Sequence, residues 1–425
     1  GSMGKLDTAG VATSESASGT TVAATPRLAA NWIIGPRVDL LCFIGAAALG
    51  YGMFFLHAGL AMNMITVWFV WYMFLDSPHF FGTYARTYFD KEEMAARRKL
   101  LIGSIGLLAV GPVFILISWL LFSVNVSWYK TPFLILTAFV SIWAYWHVVR
   151  QHYGIMSLYK RKNHDGEMLD RRLDQWGIYL GLMAPFVAFA VTNNEARVAL
   201  GLSQVLDGTP GGMGMVGAIS NPYVPGQGWE SSVVKATMLT AAVALGLVLL
   251  RSVMRFQRGA TVNGPKLMFL CAVIPLHMVV CYHPASTTLA LLGFSACVTI
   301  FHDVQYHAIV WYHQRNRMGK AGDAKHERFG MAAKISKNFP TYAMCAIGMG
   351  LTLGFLGCLL DVNPGCIPVI GSRHIMLFGN MSMNEMFFGV FLGVLMHHYF
   401  VDQFIWRPSK DKNLQKDLKL EANKA

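Results

Sequence analysis

The stretch LALLGFSACVTIFHDVQYHAIVWYHQRNR, residues 289–317, decides the fold. An apolar run opens it, and about 20 such residues suffice for a helix to cross the hydrocarbon core. It closes on Trp311, Tyr312, Arg315 and Arg317, the order in which residue types appear where a helix leaves a bilayer. Similar runs recur at 38–60, 62–81, 100–121, 132–149, 176–191, 233–250, 267–282, 342–360 and 387–404. Some are short of a full span, and flanking Trp, Tyr and Thr complete them at the interface. Composition agrees: 54% of the 425 residues are hydrophobic and 14% charged, where soluble domains carry about a quarter charged residues. That excludes an ordinary soluble enzyme, a disordered or collagen-like chain and a disulfide scaffold.

The net charge of +12 could signal nucleic-acid binding, but its distribution points to a membrane. With the N-terminus placed inside and ten spans drawn, 31 of the 35 Lys and Arg fall on inner segments. Lys130, Arg197, Lys235 and Arg373 remain outside. Anionic lipid and the insertion machinery favour basic residues on the cytoplasmic side. The expected fold is therefore all-α: a polytopic bundle of about ten transmembrane helices with both termini cytoplasmic. A Ser/Thr/Ala/Gly-rich tail without an evident cleavable signal occupies 1–30, the helical domain 31–408 and a basic cytoplasmic tail 409–425. The expected location is the bacterial inner (plasma) membrane. Two outer loops are read, a Gly/Pro-rich one at 194–228 and another at 361–382. Of seven cysteines, Cys358 and Cys366 fall near the outer face, where they can pair, and buried packing accounts for most of the others.

Eight of the fourteen histidines end four spans that all run from outside to inside. His79 ends the second, His147 and His152 the fourth, His302, His307 and His313 the eighth, and His397 and His398 the tenth. Asp76, Asp303 and Asp402 lie at the same depth. Ionisable groups inside a membrane are costly and face a bundle interior or a cavity, and an isolated carboxylate there needs a partner. Imidazole and carboxylate are good ligands for iron, zinc or copper. At 100° per residue His302, Tyr306 and His313 share a face, while Asp303 stacks on His307, and His398 on Asp402. Pro78, between Asp76 and His79, loosens its helix. One metal cannot touch both His302 and His313, about 16 Å apart along a regular helix. The rings of His397 and His398 point about 100° apart, so one of the pair is the ligand.

Each residue also has a structural explanation. A single His near a helix end is usually an interfacial hydrogen-bonding group, and that reading covers His57, His164, His277, His283, His326 and His374. Arg86, Arg150 and Arg407 snorkel, or they anchor a carboxylate or phosphate. The 24 methionines are too dispersed for a copper pathway and fill the core.

The segments HVVRQH (147–152) and HDVQYH (302–307), with the His397–His398 pair, resemble the histidine boxes of integral-membrane non-haem iron enzymes, the fatty-acid desaturase and hydroxylase class. The resemblance covers these short segments only. It implies two iron ions that activate oxygen on the cytoplasmic side, with His147, His152, His302, His307, His397 and His398 as ligands and His79 as a further one. Asp76, Asp303 and Asp402 would be additional ligands or partners of ligands. Asp303, Asp402, Arg150 and Tyr306 are the candidate catalytic residues. The expected function is a metal-dependent oxidation of a lipophilic substrate entering from the bilayer, with membrane lipid and an electron-donor protein as partners and no nucleic acid. Copper, zinc or haem are the other cofactors considered, and a haem redox protein or a proton or metal-ion transporter the other functions.

Overall fold

The computed structural model describes residues 28–202, 223–319, 327–367 and 369–420. These are predominantly helical, with almost no sheet. Ten helices dominate: α1 (Pro36–Ala58), α2 (64–86), α3 (Arg98–Ser123), α4 (Thr131–Lys162), α5 (Met168–Thr192), α6 (Gly228–Gln257), α7 (Gly264–Tyr282), α8 (Leu291–Met318), α9 (Phe339–Leu359) and α10 (Met383–Ile405). A short α11 (Lys412–Asp417) follows. Among the described residues eight are long and apolar enough to cross a membrane: α1, α3, α4, α5, α6, α7, α9 and α10. The two remaining expected spans, α2 and α8, form as helices but are less apolar. Asp76 and His79 lower the hydropathy of α2, and His302, Asp303, Gln305 and His307 that of α8. The polar residues that made these spans interesting are the ones that weaken their apolar signal.

Helix starts follow local chemistry. Asn63, Asn263 and Asn338 side chains cap α2, α7 and α9, each accepting an otherwise orphaned backbone N–H. Ser382 and Glu385 form a reciprocal capping box on α10, with the Ser382 N–H donating to Glu385 Oε2 at 2.7 Å. In α2 the run Met64–Trp71 passes through a π-helical turn, Tyr72–Asp76, into Ser77–Arg86. Pro78 lies just past the turn and has no N–H to donate, so the ladder slips by one residue there. The slip rotates Asp76 and His79 relative to the first half of the helix.

Small residues let helices approach closely, as they do in bilayers where van der Waals packing replaces the hydrophobic drive. A Cβ on Gly111 of α3 would sit 2.0 Å from the Gly389 carbonyl oxygen of α10, so those backbones touch. Helix α8 packs on α1 and α2, α10 lies on α3 and α4, and α5 lies against α6 and α7. Large apolar side chains such as Leu239, Phe139 and Phe355 face outward at 65%, 54% and 64% exposure, which suits contact with lipid.

Two short strand pairs lie outside the helices. Strand β1 (Leu28–Ala29) runs parallel to β2 (Val262–Asn263), so Leu28 and Ala29, within the expected N-terminal tail, are held in place. Strands β3 (Met376–Phe378) and β4 (Met381–Ser382) form a hairpin before α10. Cys358 and Cys366 are disulfide-bonded across eight positions of sequence. The first 27 residues and most of the 194–228 loop lie outside the described residues.

Where α4 to α7 meet at one end, a buried ionic network ties them together. Lys266 Nζ donates to Asp165 Oδ2 at 2.7 Å and to Asp174 Oδ2 at 2.9 Å. Lys160 bonds Asp174, and Arg255 pairs with Asp165 and Asp170. Burial raises the Asp165 carboxyl, but Lys266, Lys160 and Arg255 outweigh it and hold the group below its usual value.

Candidate metal centre

Four of the expected histidines meet, one from each of four helices. The rings of His79 (α2), His302 (α8), His147 (α4) and His398 (α10) form a closed circuit. Their successive centroids are 5.2, 5.0, 5.0 and 4.6 Å apart. All four side chains are buried. His79 Nε2 and His398 Nε2 are 2.9 Å apart. Gly82 permits this convergence, since a Cβ there would stand 2.8 Å from the Tyr306 ring.

Carboxylates flank the rings on two sides. On one, Asp303 Oδ1 lies 3.2 Å and Asp76 Oδ1 3.6 Å from His79 Nδ1, while Trp71 Nε1 donates to Asp303 Oδ2 at 2.9 Å. On the other, Asp402 Oδ2 stands 3.7 Å from His398 Nε2 and 4.0 Å from His147 Nε2. Three sets of potential ligand atoms lie within 4.8 Å of one another: His79–His147–His302, His147–His398–Asp402 and Asp76–His79–Asp303.

Thr83 knits the second side together. Its hydroxyl donates to Asp402 Oδ1 at 2.8 Å, and its oxygen lies 2.8 Å from His398 Nδ1 and 2.7 Å from the Tyr306 hydroxyl. Tyr306 also donates to Asp402 Oδ1 at 3.0 Å. A hydroxyl has one proton to give. With that proton on Asp402, His398 Nδ1–H must be the donor to Thr83, and the His398 lone pair falls on Nε2, facing the other rings. Fixing a tautomer through the far nitrogen is how proteins orient a ligating imidazole.

His147 Nε2 and His302 Nδ1 lack a hydrogen-bond partner, and His79 Nδ1 and Asp303 Oδ1, 3.2 Å apart, make no hydrogen bond in this arrangement. An unsatisfied buried polar group costs on the order of 1–3 kcal/mol. Several such groups around one cluster are costly for a packed interior and suit a cation. The donor set, imidazole nitrogens with carboxylate oxygens, fits a transition ion.

The other expected ligands lie apart from the circuit. His152 faces the opposite side of α4, with Phe301 and His277 at 5.2 and 5.8 Å. His307 bonds the Tyr342 hydroxyl at 3.1 Å, and His397 the Tyr88 hydroxyl at 2.8 Å. His313 pairs with Asp417 of α11 at 3.4 Å. The reason is helical phase. Residues five apart on a regular helix point about 140° away from each other, so a His-x4-His pair offers one ring to a given centre. Among the candidate catalytic residues, Asp303, Asp402 and Tyr306 are at the centre. Arg150 is exposed one turn beyond His147 and donates to the Tyr179 hydroxyl. Arg86 is buried, donates to the Ile405 carbonyl at 2.6 Å and stacks over Trp406.

Thr83 and Trp71 were not singled out in the sequence. Thr83 follows His79 by four residues and so shares its face, a signal the sequence does carry. Trp71 donates to Asp303 of α8, a contact between two helices that no single-helix pattern displays. His277, read as structural, is fully buried and bonds Tyr145 at 2.8 Å.

Compared with known proteins, the chain matches no family model, no curated protein and no solved structure. Its function is therefore argued from the site itself.

Proposed function

We propose that this chain is an integral-membrane metalloenzyme of the non-haem iron type that oxidises a lipophilic substrate. The observation that carries the reading is the buried four-histidine circuit with its unpartnered nitrogens and flanking aspartates. His147–His398–Asp402 and Asp76–His79–Asp303 share no residue, so the cluster offers ligands for two ions, with His302 between them. The four rings stand about 5 Å apart, too close for a porphyrin to enter between them, which favours bare ions over haem. In this reading ten helices cross the inner membrane of a bacterium with both termini cytoplasmic, and the centre lies toward the cytoplasm.

A bound iron would supply the activation of dioxygen. The protein's own part is different. Packed apolar helices surround the buried rings with a low-dielectric interior, which strengthens the polar interactions among them. Asp402, Thr83 and Tyr306 form a hydrogen-bonded set that can hold a proton beside His398. Trp71 keeps Asp303 turned toward His79.

Elemental analysis of the purified protein tests the reading. Iron is expected on the order of two ions per chain, with retention dependent on His147 and His302. Absence of any stoichiometric transition metal after purification without chelators, and after loading with ferrous iron, would sink it.

A further inference from the structure

A second pair of buried histidines lies on the other side of α4 from the circuit. His152 of α4 and His277 of α7 are both fully buried, and their ring centroids are 5.8 Å apart with the planes at 88°. Three of their four nitrogens, His152 Nδ1, His152 Nε2 and His277 Nε2, have no hydrogen-bond partner. The fourth, His277 Nδ1, lies 2.8 Å from the Tyr145 hydroxyl oxygen. Phe269 and Phe301 flank His152 with ring centroids at 5.9 and 5.2 Å.

Hydrogen bonding sets the tautomer of one ring. The Tyr145 hydroxyl donates its single proton to the Leu182 carbonyl at 2.8 Å, so it can only accept from His277. His277 Nδ1 therefore carries the proton, and Nε2 is a bare lone pair. Neither nitrogen of His152 is engaged, so either can carry that ring's lone pair. Two metal–imidazole bonds of about 2.0 Å, with about 1 Å from each nitrogen to its ring centre, place the centres of two in-line ligands about 6 Å apart. The observed 5.8 Å fits that spacing. Charge narrows the choice of ion. Among the described residues no carboxylate bonds either ring, in contrast to the aspartates beside His79 and His398, and no third His, Cys or carboxylate completes a set of three. A divalent ion there would keep uncompensated charge in an apolar interior, which is costly. A monovalent ion that accepts two neutral imidazoles avoids most of that cost, and among the metals that imidazole suits, cuprous copper is the one that does so.

We propose that His152 and His277 form a second metal site, separate from the circuit, which holds one cuprous ion between the two imidazoles. Tyr145 positions it by fixing the tautomer of His277. The competing occupant is a bridging water. A buried water makes about three hydrogen bonds, and here two ring nitrogens are on offer beside phenylalanine rings. The site stands independently of the iron reading, because neither residue belongs to the circuit.

The test uses full-length protein in detergent, stripped by chelation and then given cuprous ion under anaerobic conditions against a coloured cuprous chelator. Wild type should hold one copper per chain, and X-ray absorption should show two nitrogen neighbours. Three or more neighbours would place the ion in the circuit and overturn the proposal. His152→Leu should bind copper more than about tenfold more weakly. Its metal-free Tm should equal or exceed that of wild type, because the change removes two unpartnered buried nitrogens. Copper should raise the Tm of wild type and leave that of His152→Leu unchanged. No stoichiometric copper in wild type, the outcome expected of a bridging water, would overturn the proposal, as would copper held through sulfur alone or copper indifferent to His152→Leu. Stoichiometry and neighbour count come from wild type, so a poorly folded variant leaves the proposal testable. The readout involves no iron, so its failure is distinct from a failure to find iron at the circuit.

Discussion

Thr83→Val is the most discriminating change at the centre, because it swaps a hydroxyl for a methyl of nearly equal volume. It removes the hydrogen bond to Asp402 Oδ1 and the acceptor for His398 Nδ1, both at 2.8 Å. Asp402 keeps the Tyr306 hydroxyl at 3.0 Å, so the carboxylate is not stripped bare. His398 Nδ1–H is left without a partner in a buried site. That penalty is on the order of 1–3 kcal/mol. A free ring can also turn or change tautomer, which takes the Nε2 lone pair away from the cluster. Loss of such an orienting partner typically weakens metal affinity by about 10- to 100-fold, or roughly 1.4–2.8 kcal/mol. The assay is competitive removal of iron by a chelator of known affinity, with Thr83→Ser as the control that restores the hydroxyl. Valine should release iron at a chelator concentration about 10- to 100-fold lower than wild type, and serine close to wild type. Unchanged retention in the valine variant would refute the tautomer argument. Equal loss in both variants would refute it too, by assigning the effect to packing.

Three further outcomes follow from the same geometry. The double alanine variant at His79 and His147, one residue from each of the two ligand sets, should abolish stoichiometric iron, whereas alanine at His152 or His307 should leave the iron content intact, as read by elemental analysis of detergent-purified variants. Alanine at Gly111 must displace a backbone carbonyl now 2.0 Å from the added Cβ, and overpacking of this kind costs about 1–3 kcal/mol, visible as a lower Tm. Asp165, held below its usual pKa by Lys266, Lys160 and Arg255, contributes stability that is fully present above the unfolded carboxyl value near pH 4. That contribution disappears as pH falls through the lower folded value. The Tm gap between wild type and Asp165→Asn should therefore be constant from about pH 7 to 5 and close below about pH 4, and a gap that widens in acid would contradict the sign.

Much of this was legible in the chain. Apolar runs near span length yield helices because a helix satisfies its own backbone groups, whatever its neighbours do. Eight of the expected runs emerge as long apolar helices among the described residues, and α2 and α8 form where their runs were drawn. That His and Asp of α2, α4, α8 and α10 share one level was also readable, since depth along a helix is a matter of counting residues at 1.5 Å each. Helices α4 and α8 run on past that level, so His147 and His302 lie near mid-helix and not at the end.

Azimuth was not readable to the same degree. The sequence states which residues share a face of one helix, but not which face turns toward which neighbour. So His147 and His152, equivalent in pattern, part company: one joins the circuit and the other packs against Phe301 and His277. The π-turn at Tyr72–Asp76 shifts the phase of α2, and with it Asp76, His79 and Thr83, by an amount no regular helical wheel includes. Length, depth and polarity are local properties and belong to the sequence alone. The choice of His79, His147, His302 and His398, and the bridge from Thr83 to Asp402, depend on how four helices are rotated and pressed together, which only the tertiary packing decides.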